Sequence, residues 1–277
     1  MRFANVAYDG KEFAARVEAD GLRRLRGLGP IGPGTDFERL ANAEGHGDAL
    51  DPDLVRLLPP VVSPRRVICL GLNYRGHVQE TKRELPTYPV LFTKWSDSLI
   101  GPRDAIVRPP ESEQVDYEAE LAVVIGRPMR RVNPENALGH VAGYTAANDV
   151  TMRDYQYKSH QWLQGKAWPR STPLGPYLVT GDEIGDGAAL DIRLLLNTEE
   201  MQHSNTENMI FGVAVTLSTL SEFVAFEAGD VVLLGTPGGV GFRRDPQVFL
   251  HQGDEVVVEI EGIGTLRNVV ADEQPLR

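Results

Sequence analysis

The stretch "VDYEAELAVVIG", residues 115–126, alternates like a buried β-strand but carries acidic side chains along one row. Successive side chains of a strand point to opposite faces, so residues two apart share a face. The apolar row comprises Tyr117, Ala119, Leu121, Val123 and Ile125. The other row comprises Asp116, Glu118 and Glu120, followed by Ala122 and Val124. Because buried carboxylates repel one another and are costly, this strand is expected to need a compensating charge at its acidic end.

Strand-like stretches dominate the rest of the chain. Beyond residue 60 they include "RRVICLGLN", "PVLFTKW", "ALDIRLLLN", "DVVLLG" and "DEVVVEIEGIGTLRNVVA". Helical patterns are fewer and comprise "YRGHVQETKR", "NPENALGHVAGY", "TMRDYQYKS" and "MIFGVAVTLSTLSEFV". The last is apolar on most faces and is predicted to pack across a sheet. Strands do not alternate strictly with helices, which argues against a doubly wound fold and predicts a mainly β protein with some α, of the α+β class.

The first sixty residues differ from the remainder. Short alternating stretches broken by Asp-Gly pairs predict a meander of small strands in "MRFANVAYDGKEFAARVEADGLRRLRG". A proline-rich segment, "LLPPVVSP", follows and is typical of a boundary. The expected organisation is a small β-rich N-terminal domain over residues 1–60 and a larger domain over residues 61–277.

Composition excludes several classes of protein. The 277 residues carry 28 basic and 39 acidic side chains, a net charge of -11, without the basic clusters that nucleic-acid binding needs. The single cysteine, Cys69, rules out internal disulfides and cysteine-based zinc sites, and its apolar setting predicts a small buried residue. No stretch suits a signal peptide or a membrane span, so a cytoplasmic location is expected.

A metal ion is the simplest compensation for the acidic row. Glu118 and Glu120 share a face, and Asp149 in "GYTAANDVTMRDYQ" is the best candidate for a third ligand. Oxygen ligands of this kind suit Mg²⁺, Mn²⁺ or Ca²⁺. Two alternatives stay open at this point. The glutamates could lie on a solvated strand face, and Asp149 could cap the helix that follows it.

Three further segments hold candidate chemistry. In "GLNYRGHVQE", His77 and Glu80 lie three residues apart, so on a helix the carboxylate could orient the imidazole as a general base. Lys166 follows a glycine in "WLQGKAWPRSTPLGP" and could stabilise an enolate. Glycines surround Thr236 in "GTPGGVG" and would allow a small anion to approach the backbone. The alternatives are an ordinary surface pair, an exposed lysine and a tight turn.

These motifs, in this order over approximately residues 64–272, resemble the fumarylacetoacetate hydrolase superfamily. The sequence is most similar to its bacterial acylpyruvate hydrolases, oxaloacetate decarboxylases and hydroxymuconate-type isomerases. The resemblance implies a mixed β-sheet roll preceded by a small N-terminal domain, and a homodimer. It also implies Mg²⁺ or Mn²⁺ held by Glu118, Glu120 and Asp149. Asp116 has no ligand role in this scheme and is expected near the ligands or in solvent.

The resemblance also assigns roles to individual residues. His77 and Glu80 match a catalytic pair on a lid, and Lys166 matches a lysine near the scissile bond. The positions that match substrate-binding residues are Arg75, Arg153, Gln156 and Thr236. One departure concerns the segment after Lys166, where the family commonly has an aromatic residue and then Asp. Here Trp168 is followed by Pro169, so that acidic neighbour is missing.

The leading functional hypothesis is a metal-dependent hydrolase that cleaves a carbon–carbon bond in a 2,4-dioxo acid of the acylpyruvate or fumarylpyruvate type. Decarboxylation of oxaloacetate or isomerisation of 2-hydroxyhepta-2,4-diene-1,7-dioate would pass through the same kind of enolate. These reactions are the alternatives within the enzyme class. A non-catalytic protein that binds a metal or a small ligand is the alternative outside it. The expected partner is a small 2-oxo acid, with no nucleic acid and no membrane.

Overall fold

The computed structural model describes residues 1–274 and is built mainly of strands, as predicted. Its strands are β1 Arg2–Tyr8, β2 Lys11–Glu18, β3 Gly21–Arg24, β4 Arg56–Leu58, β5 Val67–Gly71, β6 Val90–Lys94, β7 Leu99–Ile100, β8 Ile106–Arg108, β9 Val115–Asp116, β10 Ala119–Ile125, β11 Val141–Asn148, β12 Thr151–Met152, β13 Thr172–Val179, β14 Asp191–Leu196, β15 Glu199–Asn205, β16 Val231–Leu233, β17 Glu255–Ile260 and β18 Gly264–Asp272. The helices are α1 Phe37–Asn42, α2 Arg75–Glu80, α3 Pro134–Ala137, α4 Arg153–Gln156, α5 Leu163–Lys166, α6 Gly181–Ile184 and α7 Val213–Ser221. Single 3-10 turns cover Ser96–Ser98, Leu138–His140, Thr206–Asn208 and Gly241–Arg243.

Two mixed sheets form the body of the fold. The large sheet has the order β3-β2-β1-β13-β11-β10-β16-β5-β6, with β4 beside β1 and β7 beside β13. The smaller sheet has the order β15-β14-β17-β18-β8. Strands β10, β11 and β13 of the large sheet pack against β14, β17 and β18 of the smaller one. Most neighbours are antiparallel, whereas β16–β5, β13–β7 and β18–β8 are parallel, which makes both sheets mixed.

Strand β10 is central to the large sheet and is buried on both faces. Its odd-numbered side chains, such as Leu121 and Val123, join the core between the sheets. Its even-numbered side chains, such as Ala122 and Val124, join a second core on the opposite face. The alternation in the sequence therefore reflects two cores, and Glu120 begins the even-numbered row at the edge of the second one.

The N-terminal meander consists of β1, β2 and β3, with turns at the two Asp-Gly pairs, as the sequence predicts. These strands do not form a separate sheet. Strand β1 pairs with β13, with Arg2 opposite Val179 and Phe3 opposite Leu178. The first strands extend the sheet of the larger part, so the sheet pairing does not mark a boundary near residue 60. That boundary stays a prediction.

The helix predicted over residues 133–144 is wrong in its second half. Helix α3 is followed by one 3-10 turn, and the chain then enters β11. This strand lies between β10 and β13 in the large sheet. A Cβ atom added at Gly143 would lie 2.4 Å from the Val179 carbonyl oxygen. The close approach of β13 therefore requires glycine at this position, and pairing within the sheet overrides the local pattern that predicted a helix.

The apolar helix predicted over residues 209–224 is shorter in the structure. It begins after Gly212 and comprises nine residues of α7. Its buried side chains include Leu217 and Leu220, which join the core between the sheets. Among the helices of residues 1–274, none combines the length and apolar character needed to cross a bilayer.

Candidate active site

The acidic row lies where the strand is interrupted between β9 and β10, and its carboxylates are buried. One carboxylate oxygen of Glu118 accepts a hydrogen bond from Lys166 Nζ at 2.7 Å, and the other lies 2.7 Å from Arg153 Nη2. Burial favours the neutral acid, but Lys166 and Arg153 outweigh it and lower the pKa of Glu118 to about 2. A solvated strand face is therefore ruled out, and Glu118 is ionised at neutral pH.

Asp149 follows the end of β11 and is completely buried. Its Oδ2 accepts a hydrogen bond from Lys166 Nζ at 2.7 Å, and its Oδ1 accepts one from Lys94 Nζ at 2.6 Å. Helix α4 begins only at Arg153, so Asp149 does not cap it. Lys94 was not predicted as a site residue, although a lysine at the end of the apolar strand "PVLFTKW" was a usable signal.

Glu120 is the carboxylate of this cluster that has no cationic hydrogen-bond partner in the described part of the chain. Within residues 1–274, its hydrogen-bond donor is the backbone N–H of Gly235, 2.7 Å from Oε2. Burial raises the pKa of Glu120 well above its ordinary value, and the charges of Asp149 and Glu118 raise it further. The Glu120 carboxylate thus lacks the compensation that lysine and arginine give the other two acids.

The three carboxylates fit a divalent cation. Glu118, Glu120 and Asp149 each offer an oxygen, and these atoms all lie within 4.8 Å of one another. Hard oxygen donors of this type match Mg²⁺, Mn²⁺ or Ca²⁺. The charges around them do not balance, because four buried carboxylates lie among three buried basic side chains. These groups are Asp116, Glu118, Glu120 and Asp149, and Lys94, Arg153 and Lys166. A further cation would supply the charge that Glu120 lacks.

We expect Glu120→Gln to stabilise the metal-free protein at pH 8. A group whose pKa is raised on folding opposes folding once pH exceeds its unfolded pKa, and each pKa unit corresponds to about 1.4 kcal/mol. The amide can still accept the Gly235 hydrogen bond but carries no charge to bury. Urea unfolding in EDTA should show a gain that grows as pH rises from 5 to 8.

Calorimetry should show weaker Mn²⁺ binding by the same variant, because a charged ligand is gone. Glu111→Gln, which changes an exposed acid, is the control and should alter neither quantity. A metal-free variant less stable than the wild type at pH 8 would contradict this account of Glu120.

Asp116 anchors the guanidinium of Arg153. Its Oδ2 accepts hydrogen bonds from Arg153 Nε at 2.8 Å and from the backbone N–H of Phe242 at 2.9 Å, while Oδ1 accepts one from the Gly241 N–H at 2.8 Å. The residue is fully buried, which corrects the expectation that it could lie in solvent. Arg153 also donates to Gln156 Oε1 at 3.0 Å. Two predicted substrate-binding side chains are thereby held together.

The predicted dyad lies on α2. His77 Nδ1 is 3.2 Å from Glu80 Oε2, and Glu80 Oε1 accepts a hydrogen bond from the Gly239 N–H at 3.0 Å. His77 is largely buried and lines the same cleft as Glu118, Lys166 and Thr236. A surface pair is therefore ruled out. Because Nδ1 faces Glu80, Nε2 is the nitrogen available to a bound molecule.

Lys166 reaches the centre because α5 packs closely on α4. A Cβ atom at Gly165 would lie 2.6 Å from the Cα of Gln156, so only glycine permits this approach. The missing acidic neighbour after Trp168 does not leave the ammonium unpaired, since Glu118 and Asp149 both accept from it. Burial opposes its charge, but these two carboxylates outweigh burial and raise the pKa of Lys166.

The cleft is narrow and has an aromatic and cationic wall that sequence reasoning missed. Its wall residues include Arg83, Phe92, Tyr157, Trp162, Phe242 and Arg243. Arg83 and Arg243 are exposed, and within residues 1–274 neither forms an ion pair with a carboxylate. Arg75, which was predicted to bind substrate, lies outside the lining. It is exposed, and its guanidinium donates to the Met209 carbonyl at 3.4 Å.

The fold and this site define a class of enzyme. Residues 66–271 match the family model described as fumarylacetoacetate (FAA) hydrolase, C-terminal. The chain belongs to the fumarylacetoacetate hydrolase family, which agrees with the resemblance recognised in the sequence.

Individual relatives carry different activities. The mitochondrial oxaloacetate tautomerase Fahd2a of Rattus norvegicus is 46% identical over 217 residues, covering 78% of this chain and 69% of the relative. The 2,4-didehydro-3-deoxy-L-rhamnonate hydrolase of Sphingomonas sp. (strain SKA58) is 39% identical over 278 residues, covering 98% and 96%. A crystal structure of 5-carboxymethyl-2-hydroxymuconate delta-isomerase from Mycobacterium smegmatis superposes with a TM-score of 0.84 at 33% identity, covering 99% of this chain and 100% of that one. Isomerising relatives thus favour the alternative reaction type over acylpyruvate hydrolysis.

Proposed function

We propose that this protein is a divalent-metal-dependent isomerase that interconverts the keto and enol forms of a 2-oxo dicarboxylic acid, of which oxaloacetate is the simplest. One observation carries the proposal. Glu118 of the three-carboxylate cluster, the buried ammonium group of Lys166 and the histidine of the His77–Glu80 pair line a single cleft. The tautomerase and isomerase activities of two relatives support the same reaction class.

The chain's own residues supply binding groups and a base. Arg153, held by Asp116, presents its guanidinium to the carboxylate next to the 2-oxo group. His77, oriented by Glu80, removes a proton from C3 through Nε2, and the electron pair moves onto the C2 oxygen. The His77 imidazolium then returns this proton to the C2 oxygen, which completes the enol and regenerates the base, and the reverse sequence restores the ketone. The ammonium of Lys166 stabilises the negative charge that develops on the oxygen.

Glu118, Glu120 and Asp149 would hold Mg²⁺ or Mn²⁺, which supplies Lewis acidity towards the 2-oxo group when bound. Water must be kept away from the reacting atoms for a clean isomerisation. Burial of His77, Lys166 and Thr236 serves this purpose.

A second carboxylate on the substrate accounts for Arg83 and Arg243. Both line the cleft and have no acidic partner among residues 1–274, so each has donors available for a distal carboxylate. We expect the double variant Arg83→Gln/Arg243→Gln to raise KM for oxaloacetate about tenfold, because these exposed charges are partly screened by solvent. Enolisation of pyruvate, followed as exchange of its methyl protons in D₂O, should change little because pyruvate lacks the distal carboxylate.

Arg127→Gln, an exposed arginine away from this cleft, serves as the matched control. Equal losses with oxaloacetate and pyruvate would show that the two arginines do not select dicarboxylic acids.

The direct test follows the enol of oxaloacetate by its ultraviolet absorbance after dilution into buffer. Loss of the enol should be faster with protein plus Mg²⁺ or Mn²⁺ than with protein plus EDTA or with the ions alone. No acceleration at saturating Mg²⁺ and Mn²⁺ would refute the proposed activity.

Hydrolysis of a 2,4-dioxo acid is the second candidate, and the relative from Sphingomonas favours it. That hydrolase aligns with almost the whole chain, and its substrate name denotes oxo groups at C2 and C4. Here His77 would take a proton from water, the hydroxide would attack the C4 carbonyl, and cleavage would leave pyruvate enolate. A small acylpyruvate whose chromophore disappears with stoichiometric release of pyruvate would select this reaction.

Two further outcomes separate the remaining alternatives. Metal-dependent release of carbon dioxide from oxaloacetate would identify a decarboxylase. Binding of Mn²⁺ without turnover of any of these acids would identify a non-catalytic binding protein. We further propose that the chain assembles as a homodimer, which sedimentation equilibrium would test.

A further inference from the structure

Gln202, on β15, connects the acidic strand to the glycine-rich turn. Its side chain is 1% exposed. Oε1 accepts a hydrogen bond from the Ala119 N–H at 2.9 Å, and Nε2 donates to Thr236 Oγ1 and to the Pro237 carbonyl, each at 2.9 Å. Ala119 is the residue between Glu118 and Glu120, so one amide contacts both halves of the site.

The partners of Gln202 fix which way its amide points. The Ala119 N–H can only donate and therefore requires the amide oxygen. The Pro237 carbonyl can only accept and therefore requires the amide nitrogen. A flipped amide would place two donors together at Ala119 and two acceptors together at Pro237. The orientation of the amide follows from these two backbone partners and does not depend on the direction in which the Thr236 hydroxyl points.

This orientation determines what the Thr236 hydroxyl can do. Its oxygen accepts from Gln202, so its single proton is not used in that bond. Within residues 1–274, Thr236 has no hydrogen-bond acceptor for that proton. The side chain is 4% exposed and lines the cleft beside Lys166 and Arg153. The proton is therefore available to an oxygen atom of a bound molecule.

We infer that Gln202 is a positioning residue that makes Thr236 a hydrogen-bond donor to the substrate carboxylate next to the 2-oxo group. The inference rests on the proposed function, because it assumes a 2-oxo acid in this cleft. Gln202 also occupies a position that a strand would otherwise fill. Strand β16 pairs with β10 only from Ala122 to Val124, so the Ala119 N–H needs another partner on that side.

Gln202→Glu reverses the polarity at nearly constant shape. A carboxylate can still accept from the Ala119 N–H, but its other oxygen must accept the Thr236 proton and faces the Pro237 carbonyl. The hydroxyl is then turned away from the cleft. Because a hydrogen bond to a charged group contributes about 1.5–3 kcal/mol, the bond's loss should weaken carboxylate binding roughly 10–100-fold.

The experiment measures binding of oxalate, a non-reacting mimic of a 2-oxo acid enolate, by calorimetry in excess Mg²⁺. We expect Gln202→Glu and Thr236→Val to weaken oxalate binding by similar factors, and the double variant to be no weaker than either single one. With the reactive substrate, KM should rise while kcat changes less than threefold. Gln202→Met, which is uncharged and has neither donor nor strong acceptor, provides a second test should the buried carboxylate prevent folding. Gln252→Glu, at an exposed glutamine, is the charge-matched control.

The results separate two failures. Additive effects of the two substitutions, or normal oxalate affinity in Gln202→Glu, would overturn the positioning role while leaving the proposed function intact. Absence of oxalate binding by the wild type in Mg²⁺ would overturn both.

Discussion

Replacing His77 with asparagine should lower kcat for isomerisation about 10²–10⁴-fold, the usual contribution of a general base. Asparagine can keep a hydrogen bond to Glu80 but offers no group that takes a proton from C3. Metal binding should persist, since the three acidic side chains are unchanged. The measurement pairs turnover of oxaloacetate enol with Mn²⁺ affinity by calorimetry.

His46→Asn is the matched control, because His46 is exposed and lies in the N-terminal part of the chain. Full turnover in His77→Asn, with metal binding intact, would mean that another group transfers the proton. Loss of both turnover and metal binding would indicate that His77 supports the fold of the cleft instead.

Replacing Lys166 with methionine should reduce the free energy of unfolding by about 3–5 kcal/mol in EDTA at pH 8, because one partner of a buried ion pair is removed. Lys166 is 2% exposed and bridges Glu118 and Asp149, which would be left with less compensation. Mn²⁺ should restore more stability to this variant than to the wild type, because a bound cation supplies the missing positive charge. Urea unfolding with and without Mn²⁺ measures both effects.

Lys11→Met, at an exposed position of β2, controls for loss of a lysine and should change stability by less than about 0.5 kcal/mol. An unchanged free energy of unfolding in Lys166→Met would show that the carboxylates are compensated without the ammonium. An equal response to Mn²⁺ in variant and wild type would argue against metal binding at these acids.

The acidic strand shows which site residues a local sequence pattern can predict. Glu118 and Glu120 follow from alternation within one short segment, and their need for compensation follows from burial. Asp149, His77 and Lys166 were candidates from their own segments, and the order of motifs in a recognised family favoured these roles over the alternatives. That route also placed Arg75 at the substrate, whereas its side chain is exposed and lies outside the cleft lining.

Long-range contacts explain what the sequence did not reveal. Lys94 meets Asp149 across 55 positions, and Gln202 meets Ala119 across 83, so no local period connects them. Strand β13 was not predicted from the sequence, because it contains Pro173 and Pro176, and prolines normally disfavour a central strand. Such contacts depend on sheet order, which is decided by the packing of both cores together.

Asp116 anchors both Arg153 and the backbone of residues 241–242. This shared anchor limits how the substrate range can change among related proteins. A single carboxylate fixes both Arg153, the proposed partner of one substrate carboxylate, and the loop that bears Arg243, a proposed partner of the other. An insertion or deletion in that loop would also disturb the anchoring of Arg153, and with it the proposed binding of every substrate alike. Substituting side chains while keeping the length of the loop avoids this disturbance. Residues 242 and 243 are therefore the positions at which substrate specificity is most readily redesigned.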